Sequence, residues 1–212
     1  MWYPCLEPPE EIDLGKITAI SGITVHGAKD CPVIGDRLPL VVVSHGRRSH
    51  FVCHHDTIET LADVGFIVAA INHPGDTYFD LSRSGDLSAF VDRPGDIKRL
   101  IDFMLSISPA APNIDRQSIG FYGFSRGGYT GLVLIGGNPD WAGATDFCRR
   151  SSSRWCEKIL REGSFRPVHS HTTRGSGLPS LPTRLLSSSP ATVLPRSRSR
   201  CSSGHRNLAA TA

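Results

Sequence analysis

The residues best placed to do chemistry are Gly123-Phe124-Ser125-Arg126-Gly127, with Gly128 behind them. They form G-x-S-x-G between a strand-like run over 118–122 and a helix-like run through Leu132, Val133 and Leu134. In that setting a serine sits on a tight, strained strand-to-helix turn, with its hydroxyl exposed at the end of a sheet. Glycines flank it because a Cβ would clash where the chain turns so sharply. The chemistry this suggests is nucleophilic attack on a carbonyl carbon. A serine hydroxyl is a weak nucleophile and needs a base, usually His, oriented by an acid. It also needs backbone N–H donors for the developing oxyanion, each worth about 3–4 kcal/mol. The N–H of Arg126 is one natural donor. The N–H of Arg47, in the loop after Ser44-His45-Gly46, is placed to be the second. Without that chemistry the same residues are a strand, a glycine-rich turn and a strand-end His.

His45, His54, His55 and His73 all precede Ser125. In folds with this turn the partners follow in the order Ser, acid, His. His54 and His55 open a helix and are expected at its surface or cap. Adjacent side chains on a helix face different directions, so they do not read as a metal pair. His45 and Gly46, with His73 and Asp76 of His73-Pro74-Gly75-Asp76, are expected to shape the rim of the site. The six cysteines have no metal-ligand spacing, and no metal site is expected.

The elements that must position these residues follow from the apolar pattern. Residues 38–43 read as a buried strand ending in Ser44-His45-Gly46. Residues 54–64 read as a helix with Gly65 as its stop. Residues 66–71 read as a second buried strand, and 77–92 as a polar excursion loop. Arg93-Pro94 opens a helix in which Ile97, Leu100, Ile101, Met104 and Leu105 recur at helical spacing. The third strand is expected over 118–123, and the helix after Ser125 is expected to run to about Gly137. Continuous apolar strands alternating with helices predict an α/β fold, a doubly wound, mostly parallel sheet covered on both faces. Ligands in such sheets bind at the carboxyl ends of the strands, where Ser44-His45-Gly46 and Ser125 both fall.

Four stretches together resemble the bacterial dienelactone-hydrolase-like α/β-hydrolases, relatives of the plasma-type platelet-activating-factor acetylhydrolases. They are LPLVVVSHG, HHDTIETLADVGFIVAAINHPGD, RPGDIKRLIDFML and IGFYGFSRGGYTGLVL, all within residues 38–147. Trp2-Tyr3-Pro4 also resembles the family's "WYP" element near the end of an early strand. The resemblance implies an α/β-hydrolase fold truncated at both ends, with an incomplete domain over 1–147. It implies a serine hydrolase of small carboxylic esters or lactones, without metal or organic cofactor. Ser125 would be the nucleophile, with oxyanion donors at Arg47 and Arg126. Relatives have small, glycine-rich residues after His-Gly, whereas this chain has Arg47-Arg48-Ser49, which crowds the site.

Composition divides the 212-residue chain in two. All 20 Asp and Glu lie at or before Glu162; the first 162 residues carry a net charge of −4 and the last 50 a net +7, all from Arg. The Arg-rich segment has no interleaved aromatics and no Lys, so nucleic acid is not an expected partner. No apolar run is long enough to span a membrane and no signal peptide is visible, so the expected compartment is the cytoplasm. Cysteines there are expected to be reduced, although Cys148 and Cys156 are able to pair in an exported protein. The hydrolase pattern frays over 148–162. The Ser/Arg/Pro-rich segment 163–212 cannot bury enough apolar surface to offset chain entropy. With permitted codon choices, the segment from Ser170 onward can be reread in a shifted frame that carries two buried-strand patterns and an acidic glycine turn in the order the resemblance implies. The segment is therefore read as a non-native frame. As written, the chain lacks the triad acid and His and is expected to be nearly inactive. The alternative is a non-catalytic binding protein that keeps the pocket.

Overall fold

The alternation of side chains along one strand determines the architecture. The computed structural model describes residues 1–16 and 22–161, so the segment 163–212 and its proposed frame lie outside the described residues. In chain order the strands are β1 (Glu10–Asp13), β2 (Thr24–Gly27), β3 (Leu38–Ser44), β4 (Ile67–Ile71) and β5 (Ile114–Gly123). The helices are α1 (His55–Asp63), α2 (Ser88–Ser106), α3 (Arg126–Leu134), α4 (Trp141–Cys148) and α5 (Arg154–Arg161). β1 and β2 form an antiparallel pair, and β4-β3-β5 form a parallel sheet with β3 in the middle.

Successive residues of β3 point to opposite faces, and both faces are covered. Leu40 and Val42 pack with Ile67 and Ala69 of β4 against Ile97 and Met104 of α2, and Leu134 of α3 joins them. Val41 and Val43 pack with Val68 against Ile58 of α1. Helices on both faces of a parallel sheet make it doubly wound, as the sequence predicts. The outer edge of β4 is met by the N-terminal segment. The N–H of Trp2 donates to the Val68 carbonyl at 2.9 Å, and the N–H of Val68 donates back at 2.8 Å. Among the described residues no strand pairs with the outer edge of β5.

Three expectations need correction. α2 begins at Ser88 rather than at Arg93, so the excursion loop ends sooner. Pro94 lies inside the helix, where it lacks an N–H and crowds the preceding turn. Burial of Leu87 and Ala89, and packing of the Phe90 ring on Tyr129 and Trp141 at 5.0 and 5.8 Å, favours helix there regardless. β5 begins at Ile114 rather than 118, because Ile114 pairs with Leu38 across a register shift. The polar Asp115-Arg116-Gln117 hides that extension from a hydrophobicity reading. The cysteines differ as well. Cys5 is bonded to Cys31 and Cys148 to Cys156, which ties the end of α4 to α5 across the stretch where the sequence pattern frays.

Candidate active site

The register of the sheet brings the two motif-bearing loops together. Ser44 is level with Gly123 on β5 and with Ile71 on β4, so the chain leaves three neighbouring strands at one height. After Gly123 the chain turns through Ser125 at φ 53° and ψ −115° and enters α3 at Arg126. A non-glycine residue at positive φ is costly, by about 1–3 kcal/mol, and persists only where the surroundings enforce it. The glycines show how they do so. A Cβ on Gly127 would collide with the Ser44 carbonyl oxygen, and one on Gly123 with the backbone of Gly127. A Cβ on Gly46 would stand 3.6 Å from the Ser125 Cβ, so the loop after β3 lies directly against the serine. Ser125 is exposed, and its side chain makes no capping bond to α3.

The loop after β3 is held from beneath by buried polar groups. His45 and His73 are each 1% exposed. The His45 Nδ1–H donates to the Gly46 carbonyl at 2.7 Å, and its Nε2 accepts the backbone N–H of His73 at 3.2 Å. Burial pushes His45 down to about 3, so the ring is neutral with its proton on Nδ1. His73 is also lowered by burial, against the opposing pull of Asp96. Its Nδ1–H donates to Asp96 at 2.9 Å, and its Nε2 accepts the Ser44 hydroxyl at 2.8 Å.

Arg93 holds the same loop from α2. Its guanidinium donates to the carbonyls of His45 and Gly46 at 2.7 and 3.2 Å, and to the Asp76 carboxylate at 2.8 Å. Asp76 also accepts from the Arg126 guanidinium at 2.6 Å and from the backbone N–H of Arg48 at 3.1 Å. One carboxylate thus ties together the loop after β3, α2 and the first residue of α3. Burial, and then the neighbouring Arg126, hold Arg93 down near 10 despite that carboxylate.

The structure therefore brings Ser125, Gly46, Arg47 and Arg126 to one place. His45, Gly46, His73 and Asp76, expected around the rim, are buried as the floor that carries the loop. The side chain of Arg47 donates from Nε to the Ser84 carbonyl at 2.9 Å, and the Arg126 guanidinium donates to the same carbonyl at 3.2 Å. His54 is half-buried, with its ring 5.2 Å from Phe124 and 5.4 Å from Tyr122. No His follows Ser125 among the described residues. No group of His, Cys, Asp and Glu able to hold a metal ion occurs among them either.

Ser44, Arg93 and Asp96 were not singled out by the sequence. Ser44, His73 and Asp96 have the hydrogen-bond connectivity of a Ser-His-acid triad, but Ser44 is fully buried and no substrate carbonyl can reach it. The signal for Arg93 was available in the periodicity. It precedes Ile97 by four residues, which places a charged side chain on the buried stripe of α2.

A solved structure shares this architecture. A ferulic acid esterase from Streptomyces cinnamoneus superposes with a TM-score of 0.52 at 22% sequence identity, covering 63% of this chain and 46% of that one. This chain has an α/β-hydrolase-like fold. The chain spans about half the length of that esterase. No protein-family model and no curated protein sequence matches the chain.

Proposed function

We propose that this chain carries the nucleophile and oxyanion hole of a serine hydrolase acting on carboxylic esters or lactones. The observation that carries the reading is Ser125 at φ 53°, exposed on a strand-to-helix turn with Gly46 packed against it. The Oγ attacks the ester carbonyl as its proton passes to a base, and the carbonyl π pair moves onto the oxygen facing the backbone N–H groups of Arg47 and Arg126. Collapse breaks the ester C–O bond to release the protonated alcohol and leave an acyl-serine for water to hydrolyse. Neither N–H has a protein partner among the described hydrogen bonds. The Arg93–Asp76–Arg126 network holds both donors in place before substrate arrives. The substrate class named for the solved structural neighbour, a ferulic acid ester, falls within the same chemistry.

The base is the weak point. The ring nitrogens of His45 and His73 are fully committed to the loop. Without a His partner, turnover falls on the order of a million-fold below that of an intact triad. A non-catalytic binding role for the same pocket is favoured by that one observation.

A fluorophosphonate probe applied to the full chain tests the reading. Slow covalent labelling that disappears in Ser125→Ala is the expected result, with ester turnover barely above background. Labelling that persists in Ser125→Ala refutes the nucleophile assignment. Rapid, Ser125-dependent ester turnover refutes the inactive state.

A further inference from the structure

Beside Ser125 lie two runs of aromatic rings, Phe124–His54–Tyr122 and His50–Tyr78–Phe79, of which only Tyr122 packs against the folding core. Phe124, next to the serine, is 53% exposed. Its ring meets His54 at 5.2 Å, and His54 meets Tyr122 edge-on at 5.4 Å. His50 and His54 flank one turn, in which the N–H of Cys53 donates to the His50 carbonyl at 3.2 Å. His50 meets Tyr78 edge-on at 6.4 Å, and Tyr78 meets Phe79 at 5.2 Å. Tyr78 and Phe79 are 60% and 45% exposed. The second run is fixed to the loop after β3, because the N–H of Tyr78 donates to the Ser49 carbonyl at 2.8 Å. Gly46 lies against the first run, since a Cβ on it would touch the Phe124 ring at 3.4 Å.

We propose that these rings are a binding subsite for an aromatic ring carried by the ester that Ser125 attacks. The proposal rests on the reading of Ser125 as the reactive centre. Rings meeting at tilted and edge-on angles leave π-faces and edges open to a further ring, which prefers such partners to an alkyl chain. Burial lowers both His50 and His54, so the imidazoles are neutral near pH 7 and add ring surface without charge. Contiguity with Ser125 lets a ring one or two bonds from the carbonyl lie on Phe124 while the carbonyl oxygen faces Arg47 and Arg126. The ring can enter on the acyl side or on the alcohol side.

Binding can be read without turnover, in full-length Ser125→Gly protein. Imidazole and tyrosine ring signals in NMR spectra would be followed during titration with methyl benzoate, phenyl acetate and their saturated counterparts, methyl cyclohexanecarboxylate and cyclohexyl acetate. An aromatic ester should shift the signals of His50, His54 and Tyr78 and bind about tenfold more tightly than its saturated counterpart, as two ring–ring contacts predict. Tyr78→Ala and Phe124→Leu should each weaken the aromatic ester several-fold and leave the saturated one unchanged. Preference for methyl benzoate would place the ring on the acyl side, and preference for phenyl acetate on the alcohol side; either supports the subsite. Equal binding of aromatic and saturated esters would overturn it, as would shifts confined to other parts of the chain. If the ring preference holds while Ser125 in the native chain resists fluorophosphonate, the catalytic reading fails and the subsite stands. If Ser125 labels but no ring preference exists, the subsite alone fails.

Discussion

Ser125 carries a conformation that its own side chain opposes. At φ 53° the Cβ is crowded by the backbone, and nothing in the hydroxyl's contacts compensates, since it makes no cap bond to α3. At an ordinary site glycine is less stable than alanine by about 0.5–1 kcal/mol. Here the order should reverse, with Ser125→Gly more stable than Ser125→Ala by about 1 kcal/mol. Urea unfolding of the two variants measures this, and an alanine variant at least as stable as the glycine one would show that the turn is relaxed. This residue was legible in the sequence because the strain has a local signature, glycines two positions to either side of a serine. The residues that support it were not. Arg93 acts on carbonyls more than forty positions away, and Asp96 acts through His73. Their roles exist only once α2 has docked beside the ends of β3 and β4. Arg47, where the chain departs from small residues, is held by a contact equally remote in sequence, with the Ser84 carbonyl.

At the scale of elements, the apolar strands and helices were legible because their periodicity reflects two covered sheet faces. The misplaced boundaries fall where tertiary contacts extend an element, through polar residues at the start of β5 and through the packing of Leu87, Ala89 and Phe90 at the start of α2. What joins the elements is polar. His45 and His73 bind the end of β3 to the end of β4 and to α2, and they do so as neutral rings. Burial lowers His45 from 6.5 to about 3, and His73 is shifted in the same direction. Once the pH is below about 6.5 the unfolded chain therefore binds protons that the native state refuses, and stability rises with pH between about 3 and 6.5. Moving from pH 7 to pH 5 should cost about 2 kcal/mol from His45 alone, with a further loss from His73. The urea midpoint should fall accordingly over that interval. A midpoint unchanged between pH 7 and pH 5 would mean that these rings charge freely in the folded protein.

At the scale of the whole molecule, the covalent ties Cys5–Cys31 and Cys148–Cys156 lie at either side of the hydrolase-like sheet. Cys5–Cys31 links the segment that bridges β4 to the chain leading into β3, and Cys148–Cys156 links α4 to α5. The second tie lies in a small core with Leu87 and Ile159, against Phe90, whose ring also carries the guanidinium of Arg126 at 4.6 Å. A bond between α4 and α5 thus bears on the first turn of α3. The sequence offered the Cys148–Cys156 pair only as an alternative to free thiols, because spacing alone does not reveal redox state. The partnership of Cys5 with Cys31 depends on a fold in which the Tyr3 hydroxyl donates to the Cys31 carbonyl at 2.8 Å. Paired cysteines belong to oxidising compartments. Non-reducing peptide mapping of protein folded under oxidising conditions should recover Cys5 linked to Cys31 and Cys148 linked to Cys156. From the sequence separations of 26 and 8, loop closure predicts that reduction removes about 3 kcal/mol per bridge. The urea midpoint should therefore drop on reduction, and Ser125 labelling should slow as α3 loses the support of α4 and α5. Free thiols at all four positions in a folded, oxidised sample would refute the pairing. An unchanged midpoint after complete reduction would show that packing alone holds these segments, and that the bridges are incidental to the architecture around Ser125.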